Sequence, residues 1–307
     1  MDDSERPVIR VICGPTGAGK SALALRCALF ADVTIVSADS RQLYTGFDVG
    51  TAKPGRAERA AVPHEGIDVL DPTMRASAAW WAGEADAWLE GAIHQGRVPL
   101  VVGGTGLYLR ALLGTLFEEI PMDVTSRGRL QVHFAATSVD ELRRWVGVLD
   151  PARAALGRTQ LLRAIEVALL TGRPISALHE ERARPSRWRA RYLLVDPGPP
   201  LRDQIAGRTR VMFDSGWPDE VRALMQNVSA DAPAWNASGY RTVRAMVEGQ
   251  LTLEEAVDDV VIETRQYAKR QRTWFRHQLA GEHVTTIDPT AGDVGARLEA
   301  WWSEQVA

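Results

Sequence analysis

Near the N-terminus, Gly14-Pro15-Thr16-Gly17-Ala18-Gly19-Lys20-Ser21 fits the pattern GxxxxGK[ST] at every required position. The chemistry open to such a run is the holding of phosphate. Glycines let backbone N–H groups turn inward around phosphate oxygens, and a helix N-terminus behind them adds partial positive charge. Lys20 brings a full charge to the terminal phosphates, and the Ser21 hydroxyl can ligate Mg²⁺. The apolar run 8–13 reads as a buried strand and residues 21–31 as a helix, the context this motif requires. Without a ligand, Lys20 would be an unneutralised charge beside a helix N-terminus. The motif alone does not separate kinases, ATPases, GTPases and group transferases.

A carboxylate follows at a telling place. Residues 34–37 read as a strand that leads into Ala38-Asp39-Ser40-Arg41-Gln42-Leu43-Tyr44. Ligands of open α/β sheets bind beyond the carboxyl ends of strands, so Asp39 belongs beside the phosphate loop. It can anchor magnesium, act as a general base, or simply cap a loop or helix. Residues 45–54 are long, polar and carry two glycines, as lids and binding loops do. A further apolar strand, 98–102, ends in Gly103-Gly104-Thr105-Gly106 and an apolar helix near 107–113.

Thr252-Leu253-Glu254-Glu255 is a capping box that opens a helix running to about residue 279. Its first half is acidic and its second half basic. Arg265, Lys269, Arg272 and Arg276 recur at i, i+4, i+7 and i+11 and so share one face. Such a stripe either complements the helix dipole or contacts RNA phosphates. Gln271 and Trp274 could also reach bases, whereas Ala268, Phe275 and Leu279 fall on a packing face.

The elements that must position these residues alternate strand with helix through about residue 113. Residues 64–70 read as a third strand, and Ser77 caps a helix that Gly96 stops. The fold class this implies is α/β, a P-loop NTPase-like parallel sheet core flanked by helices. Between 114 and 190 strand signals fade and helical periodicity takes over, at 138–149 and 159–171; residues 192–195 then read as a strand again. The expected organisation is a catalytic core from 1–113 and 191–307, including C-terminal helices, with an inserted helical subdomain at 114–190. The arginine cluster between 182 and 191 either touches RNA or solvates the return to the sheet. Residues 2–7 and those after 288 read as peripheral. Trp80, Trp81 and Trp88 share one helix and read as packing residues, and His64, His133 and His179 lack ligand-like spacing.

At 307 residues and 45% hydrophobic, the chain can bury a sizeable core. A net charge of −3 excludes a globally basic nucleic-acid binder, though not a local basic patch. The two cysteines, Cys13 and Cys27, fall in a strand and a helix, thiol usage of a reducing compartment rather than a disulfide framework. The sequence shows neither a signal peptide nor an apolar run approaching the roughly 20 residues that span a bilayer. A cytoplasmic enzyme without membrane contact is the expectation.

Taken together, Asp39 to Tyr44, Asp48-Val49-Gly50-Thr51-Ala52-Lys53-Pro54, Gly103-Gly104-Thr105-Gly106-Leu107-Tyr108 and the basic run Thr264 to Arg276 closely resemble, in order, the signature of bacterial tRNA dimethylallyltransferases. That resemblance implies transfer of a dimethylallyl group from dimethylallyl diphosphate to the exocyclic N6 of an adenosine. The adenosine lies on the 3′ side of the anticodon in tRNAs reading codons that start with U. It implies that Gly14 to Ser21 hold the donor's diphosphate, with Mg²⁺ as cofactor and Ser21 as its ligand. Asp39 then corresponds to the general base, Thr105 to a residue positioning adenine or diphosphate, and Arg208 to a diphosphate contact. The inserted subdomain would grip the anticodon stem-loop. RNA contacts are implied at Asp39, Ser40, Arg41, Gln42, Thr105, Arg127, Thr159, Gln160, Leu161, Leu162, Arg163 and Arg241, and along the basic stripe. A monomer is expected. The chain departs from the family pattern at Gln160 and Gln204, often arginine, and at Thr242, commonly acidic or amide. An adenylate isopentenyltransferase or another P-loop kinase acting on a small nucleotide is the alternative, though a free nucleotide needs neither the insert nor the basic helix. A nucleotide-gated RNA-binding switch is a further one, against which the Asp39 to Tyr44 signature weighs.

Overall fold

The computed structural model describes residues 6–114, 122–181, 186–279 and 283–304. The chain divides into two compact units, one of Met1–Leu113 with Arg187–Ala307 and one of Gly114–Ser186. The first unit is built on strands β1 (Val8–Cys13), β2 (Val33–Ser37), β3 (His64–Glu65), β4 (Val98–Gly103), β5 (Arg189–Val195) and β6 (Val284–Ile287), all parallel in the order β3-β2-β4-β1-β5-β6. Parallel strands covered on both faces need continuous apolar runs, and all five residues of β2 are buried. The strand order reverses direction at β1, which lies between β4 and β5, so a crevice opens at the carboxyl ends of β1 and β4.

Helices α1 (Lys20–Cys27), α2 (Arg56–Ala61) and α3 (Ala78–His94) connect the first four strands, and α4 (Gly106–Leu113) follows β4. Ser77 caps α3 by accepting from the Trp80 amide, and Gly96, at φ +73°, turns the chain after its end. Trp81 of α3 is fully buried, stacked on Tyr108 at 4.7 Å, with its indole N–H donated to the Ser37 carbonyl. The core around β1, β2 and β4 gathers Ile12, Ile35 and Leu100 with Leu23 and Cys27 of α1.

The expected third strand shortens to His64–Glu65, because Gly66 and Asp68 adopt positive φ (75° and 57°) and turn the chain out of extended conformation. The tail after 288 is not peripheral. Its helix buries Leu298, Trp301 and Trp302 in the main core, and just before the tail strand β6 extends the sheet beside β5. Arg10 reinforces this docking, donating to the Trp302 carbonyl while its guanidinium lies 4.6 Å from that ring.

The second unit holds α5 (Val124–His133), α6 (Val139–Leu149), α7 (Arg158–Thr171) and α8 (Ile175–Glu181) around Leu142, Val146, Leu161, Ile165 and Leu178. Ser138 caps α6, and the fully buried Asp150 accepts from both the amide and hydroxyl of Ser176. The C-terminal part of the first unit adds α9 (Leu201–Asp214), α10 (Trp217–Asn227), α11 (Tyr240–Val247), α12 (Leu253–Gln278) and α13 (Val294–Ser303). The Thr252/Glu255 capping box is formed in full.

Candidate active site

Four loops leave the carboxyl ends of β1, β2, β4 and β5 and converge in the first unit. The phosphate loop follows β1. Gly14 is at φ +147°, and a Cβ there would lie 2.2 Å from the Val195 carbonyl oxygen, so the loop can begin only with glycine. Gly17 and Gly19 are also at positive φ. Lys20 is the first residue of α1, whose N-terminus has no side-chain cap, and its ammonium donates to the Pro15 carbonyl at 2.8 Å. Burial lowers the Lys20 pKa to about 8; Asp39 pulls it up and Arg208 pushes it further down. Burial likewise lowers Arg208, on α9, with Asp39 opposing. Three charged groups from three elements thus act on one another at the mouth of the phosphate loop.

Asp39 is half-buried, and its Oδ1 accepts from the Arg41 amide at 2.9 Å, which fixes the carboxylate's direction. The Thr105 hydroxyl accepts from the Ser40 amide at 3.1 Å, so the β4 loop and the Asp39 loop are tied beside this acid. Tyr267 of α12, which sequence reasoning passed over, pairs with Thr105. Burial, with the Asp39 charge adding to it, pushes the Tyr267 phenol up to about 12, so it stays protonated at neutral pH.

Two adjoining clefts share Thr16, Asp39, Thr51 and Arg208. One is lined by the phosphate loop with Lys20 and Ser21. The other has apolar walls from Ile205, Met212, Trp217, Val260 and Tyr267. A polar, cationic chamber therefore opens beside an apolar one, with Asp39 and Arg208 at their junction. Among the described residues no group of three His, Cys, Asp or Glu could hold a metal ion. A divalent cation bound beside Ser21 would take most of its oxygens from phosphate and water, as Mg²⁺ commonly does.

Residues 45–54, read from sequence as a lid or binding loop, are held by hydrogen bonds to other parts of the fold. Glu220 accepts from the amides of Asp48 and Val49 through Oε2 and from the Tyr240 hydroxyl through Oε1. Lys53, whose side chain is 1% exposed, bonds the Tyr44 carbonyl, Asp48 and Asp68. Burial raises the Asp68 pKa, but hydrogen bonds from Lys53 and Arg59 outweigh it and hold the carboxyl below its ordinary value. The Gln42 amide is engaged within the protein: it accepts from Ser37 and donates to the carbonyls of Thr51 and Ala52, holding the loop's inner end.

The second glycine motif is a packing hub. A Cβ on Gly103 would lie 2.2 Å from the Ala38 carbonyl oxygen, one on Gly104 2.4 Å from Gln271 Nε2, and one on Gly106 2.3 Å from the Trp274 ring. Both α12 side chains proposed to reach bases are thus seated against glycines, and Gln271 is buried.

The basic stripe divides. Arg265 donates to the Arg202 carbonyl, and Arg272 bonds Asp196 and the Gly198 carbonyl, because this face of α12 packs on α9 and the β5 loop. Lys269 and Arg276 are exposed. In the helical unit Leu161 is fully buried, so it offers no surface to RNA. Arg127 and Arg163 both face the buried Glu166, at 3.0 and 3.5 Å, while Thr159 and Gln160 are exposed and Leu162 half-exposed. Arg241 is exposed and bonds Asn236. Thr242 is buried and donates to Glu263, which accounts for a hydroxyl at that departure. Of the arginine cluster, Arg182 and Arg184 lie outside the described residues; Arg187 pairs with Glu90, Arg189 donates to the Arg6 carbonyl and Arg191 pairs with Glu304.

The IPP transferase family model matches residues 42–278. A tRNA dimethylallyltransferase of Myxococcus xanthus is 41% identical over 281 residues, 90% of this chain and 91% of the relative. One from Acaryochloris marina is 38% identical over 299 residues, 94% of this chain and 95% of the relative. The crystal structure of a Bacillus halodurans tRNA isopentenylpyrophosphate transferase superposes with a TM-score of 0.66 at 30% identity, covering 97% of this chain and 98% of that one. A eukaryotic dimethylallyltransferase acting on tRNA shares the fold, at a TM-score of 0.78 and 23% identity over 96% of this chain and 77% of that one.

Proposed function

Because the chain belongs to the IPP transferase family, we propose that it moves a dimethylallyl group from dimethylallyl diphosphate to N6 of the adenosine on the 3′ side of the anticodon, in tRNAs reading codons that start with U. The chain is a prenyltransferase of tRNA modification. The observation that carries the finer reading is the junction of the two clefts, where Asp39 and Arg208 stand between a cationic phosphate site and an apolar chamber. The alternative, an adenylate isopentenyltransferase or another P-loop kinase acting on a small nucleotide, is not favoured by the relatives, which are tRNA dimethylallyltransferases.

The adenine N6 lone pair is delocalised into the ring, which makes the amine a poor nucleophile. In the transfer, N6 forms a bond to the allylic carbon as that carbon's bond to the diphosphate oxygen breaks. Asp39 accepts the N6 proton, a role its direction from the Arg41 amide prepares. Lys20, Arg208 and the N–H groups of the phosphate loop stabilise the charge gathering on the departing diphosphate. Thr105 and Tyr267 border the base beside Asp39. Since the target adenosine is stacked in its loop, it must be turned out to reach this site, at a cost of a few kcal/mol. Mg²⁺ would supply further neutralisation of the diphosphate, and the Ser21 hydroxyl is the group of the phosphate loop that would ligate it.

The RNA-facing surfaces in this reading are Ser40 and Arg41 near the acid, Lys269 and Arg276 on α12, Arg241 on α11, and the exposed start of α7 in the helical unit. No helix among the described residues is long and apolar enough to cross a membrane, and the enzyme acts as a cytoplasmic monomer. The test offers the protein Mg²⁺, labelled dimethylallyl diphosphate and an anticodon stem-loop, with ATP turnover measured in parallel. Label entering the RNA is expected; clear ATP turnover with unlabelled RNA would overturn the reading.

A further inference from the structure

Gln271 is a polar residue of α12 buried to 7% exposure. Both ends of its amide are engaged. Oε1 accepts from the backbone N–H of Thr16 at 2.8 Å, and Nε2 donates to the backbone carbonyl of Gly104 at 2.8 Å. Thr16 lies in the phosphate loop after β1, and Gly104 directly precedes Thr105 in the loop after β4. The amide has one usable orientation here, since a flip would set N–H against N–H and oxygen against oxygen.

The topology explains why such a tie is needed. The β1–β4 ladder ends at the pair Cys13 and Gly103. Beyond it no strand pairing fixes the distance between the two loops, although the reaction is set between them. Gln271 continues the ladder by one side-chain rung. The approach is close: a Cβ on Gly104 would lie 2.4 Å from Gln271 Nε2 and 3.0 Å from the Gly14 carbonyl oxygen. Residues that follow it strengthen the frame. Arg272 bonds Asp196 and Gly198 after β5, and Trp274 seats on Gly106. Gln271 alone among these three bonds both the phosphate loop and the Thr105 loop.

We propose that Gln271 is a positioning residue for the transfer: its amide sets the spacing between the loop that holds the leaving diphosphate and the loop that carries Thr105 beside Asp39. The inference rests on the transferase reading of those two loops. Reacting atoms must be held about 3–3.5 Å apart, and a misplacement of about 1 Å can cost on the order of 100-fold in rate. Without Gln271 the Thr16 N–H and the Gly104 carbonyl lose their partners inside the fold, and each loop relaxes toward water.

The test uses the full chain with Gln271→Met, which keeps length and packing but neither hydrogen bond, and Gln271→Asn, which keeps the amide on a stem too short to reach both loops. Thermal midpoint, affinity for dimethylallyl diphosphate, affinity for the anticodon stem-loop, and single-turnover transfer at saturating donor and RNA are measured. For the Met variant, RNA affinity unchanged, donor binding weaker by about 10-fold and saturated transfer slower by about 100-fold are expected, with the Asn variant between. Saturated transfer within about twofold of wild type, or a rate loss matched by the unfolded fraction, would overturn the proposal. Should the Met variant not fold, the Asn variant and hydrogen exchange of wild-type Thr16 decide: its amide is expected to be protected in the free protein, and an unprotected amide overturns the tie. Wild-type protein failing to label RNA in the same assay would instead remove the transferase reading.

Discussion

Replacing Asp39 by Asn isolates the acid's chemistry from its geometry. Asn retains an Oδ1 that can accept from the Arg41 amide, the bond that directs Asp39 at 2.9 Å. Only the negative charge and the proton acceptor disappear. Loss of a positioned general base slows transfer by about 10²–10⁴-fold, or roughly 3–5 kcal/mol of barrier. A second effect follows from the neighbouring lysine. Burial lowers Lys20 to a pKa of about 8 while Asp39 raises it and Arg208 lowers it. Removing Asp39 therefore drops Lys20 further. Lys20 is charged below its pKa and neutral above it, and only the cation holds diphosphate. The kcat/KM for dimethylallyl diphosphate, which reports the free enzyme, falls above pH about 8 in the wild type, and the fall starts at lower pH in Asp39→Asn. Donor affinity near pH 6 stays equal or tightens, since a negative charge beside the diphosphate is gone. Single-turnover transfer and calorimetry across pH measure both effects. Transfer within about threefold of wild type, or a falling limb that stays put or moves upward, would refute the assignment.

Three further outcomes are expected. Gly106→Ala drives a Cβ to within 2.3 Å of the Trp274 ring and costs about 1–3 kcal/mol in urea unfolding, whereas Gly83→Ala, with nothing within 4 Å of its Cβ on α3, stabilises by up to about 1 kcal/mol. Lys53→Met removes a side chain 1% exposed from Asp48 and Asp68, which are 55% and 30% exposed, and after discounting the exposed Asp48 it destabilises by about 2–4 kcal/mol. The Asp68 pKa is depressed in the fold, so this contribution is complete above the ordinary carboxylate pKa and is lost as pH falls through the lowered value; the gap between variant and wild type should narrow in acid. Changing Lys269 and Arg276 together to Ala weakens stem-loop binding most at low salt and reduces the slope of log affinity against log salt by about 1–2, while wild-type affinity and slope would leave both charges merely solvated.

Features decided by neighbours in sequence were legible there. The phosphate loop, the Ser77 cap, the Gly96 stop and the Thr252/Glu255 box each need only a few consecutive residues, and each stands where its pattern predicts. Features decided by distant partners were not. Helical spacing puts Arg265 and Arg272 on one face but does not say that α9 and the β5 loop cover it. The second glycine motif resembles a ligand loop until Ala38, Gln271 and Trp274 are seen pressed against it. Residues 45–54 read as a lid or binding loop, but what holds them was not legible, because Glu220 and Tyr240 lie far along the chain. Strand β6 and α13 escaped because one is short and the other joins the core through two tryptophans whose partners include β1. Asp39 and Arg208 come from separate segments, and the fold brings both to the mouth of the phosphate loop beside Lys20, while Thr105, from a third segment, is tied to Ser40 next to Asp39.

The most direct measurement is nucleoside analysis of an anticodon stem-loop after incubation with the protein, Mg²⁺ and dimethylallyl diphosphate, beside a second stem-loop carrying guanosine in place of the adenosine on the 3′ side of the anticodon. N6-(dimethylallyl)adenosine is expected from the first RNA and no prenylated nucleoside from the second. Prenylation of both, or of free adenylate in preference to the stem-loop, would contradict a site built around Asp39 and N6 of that one base.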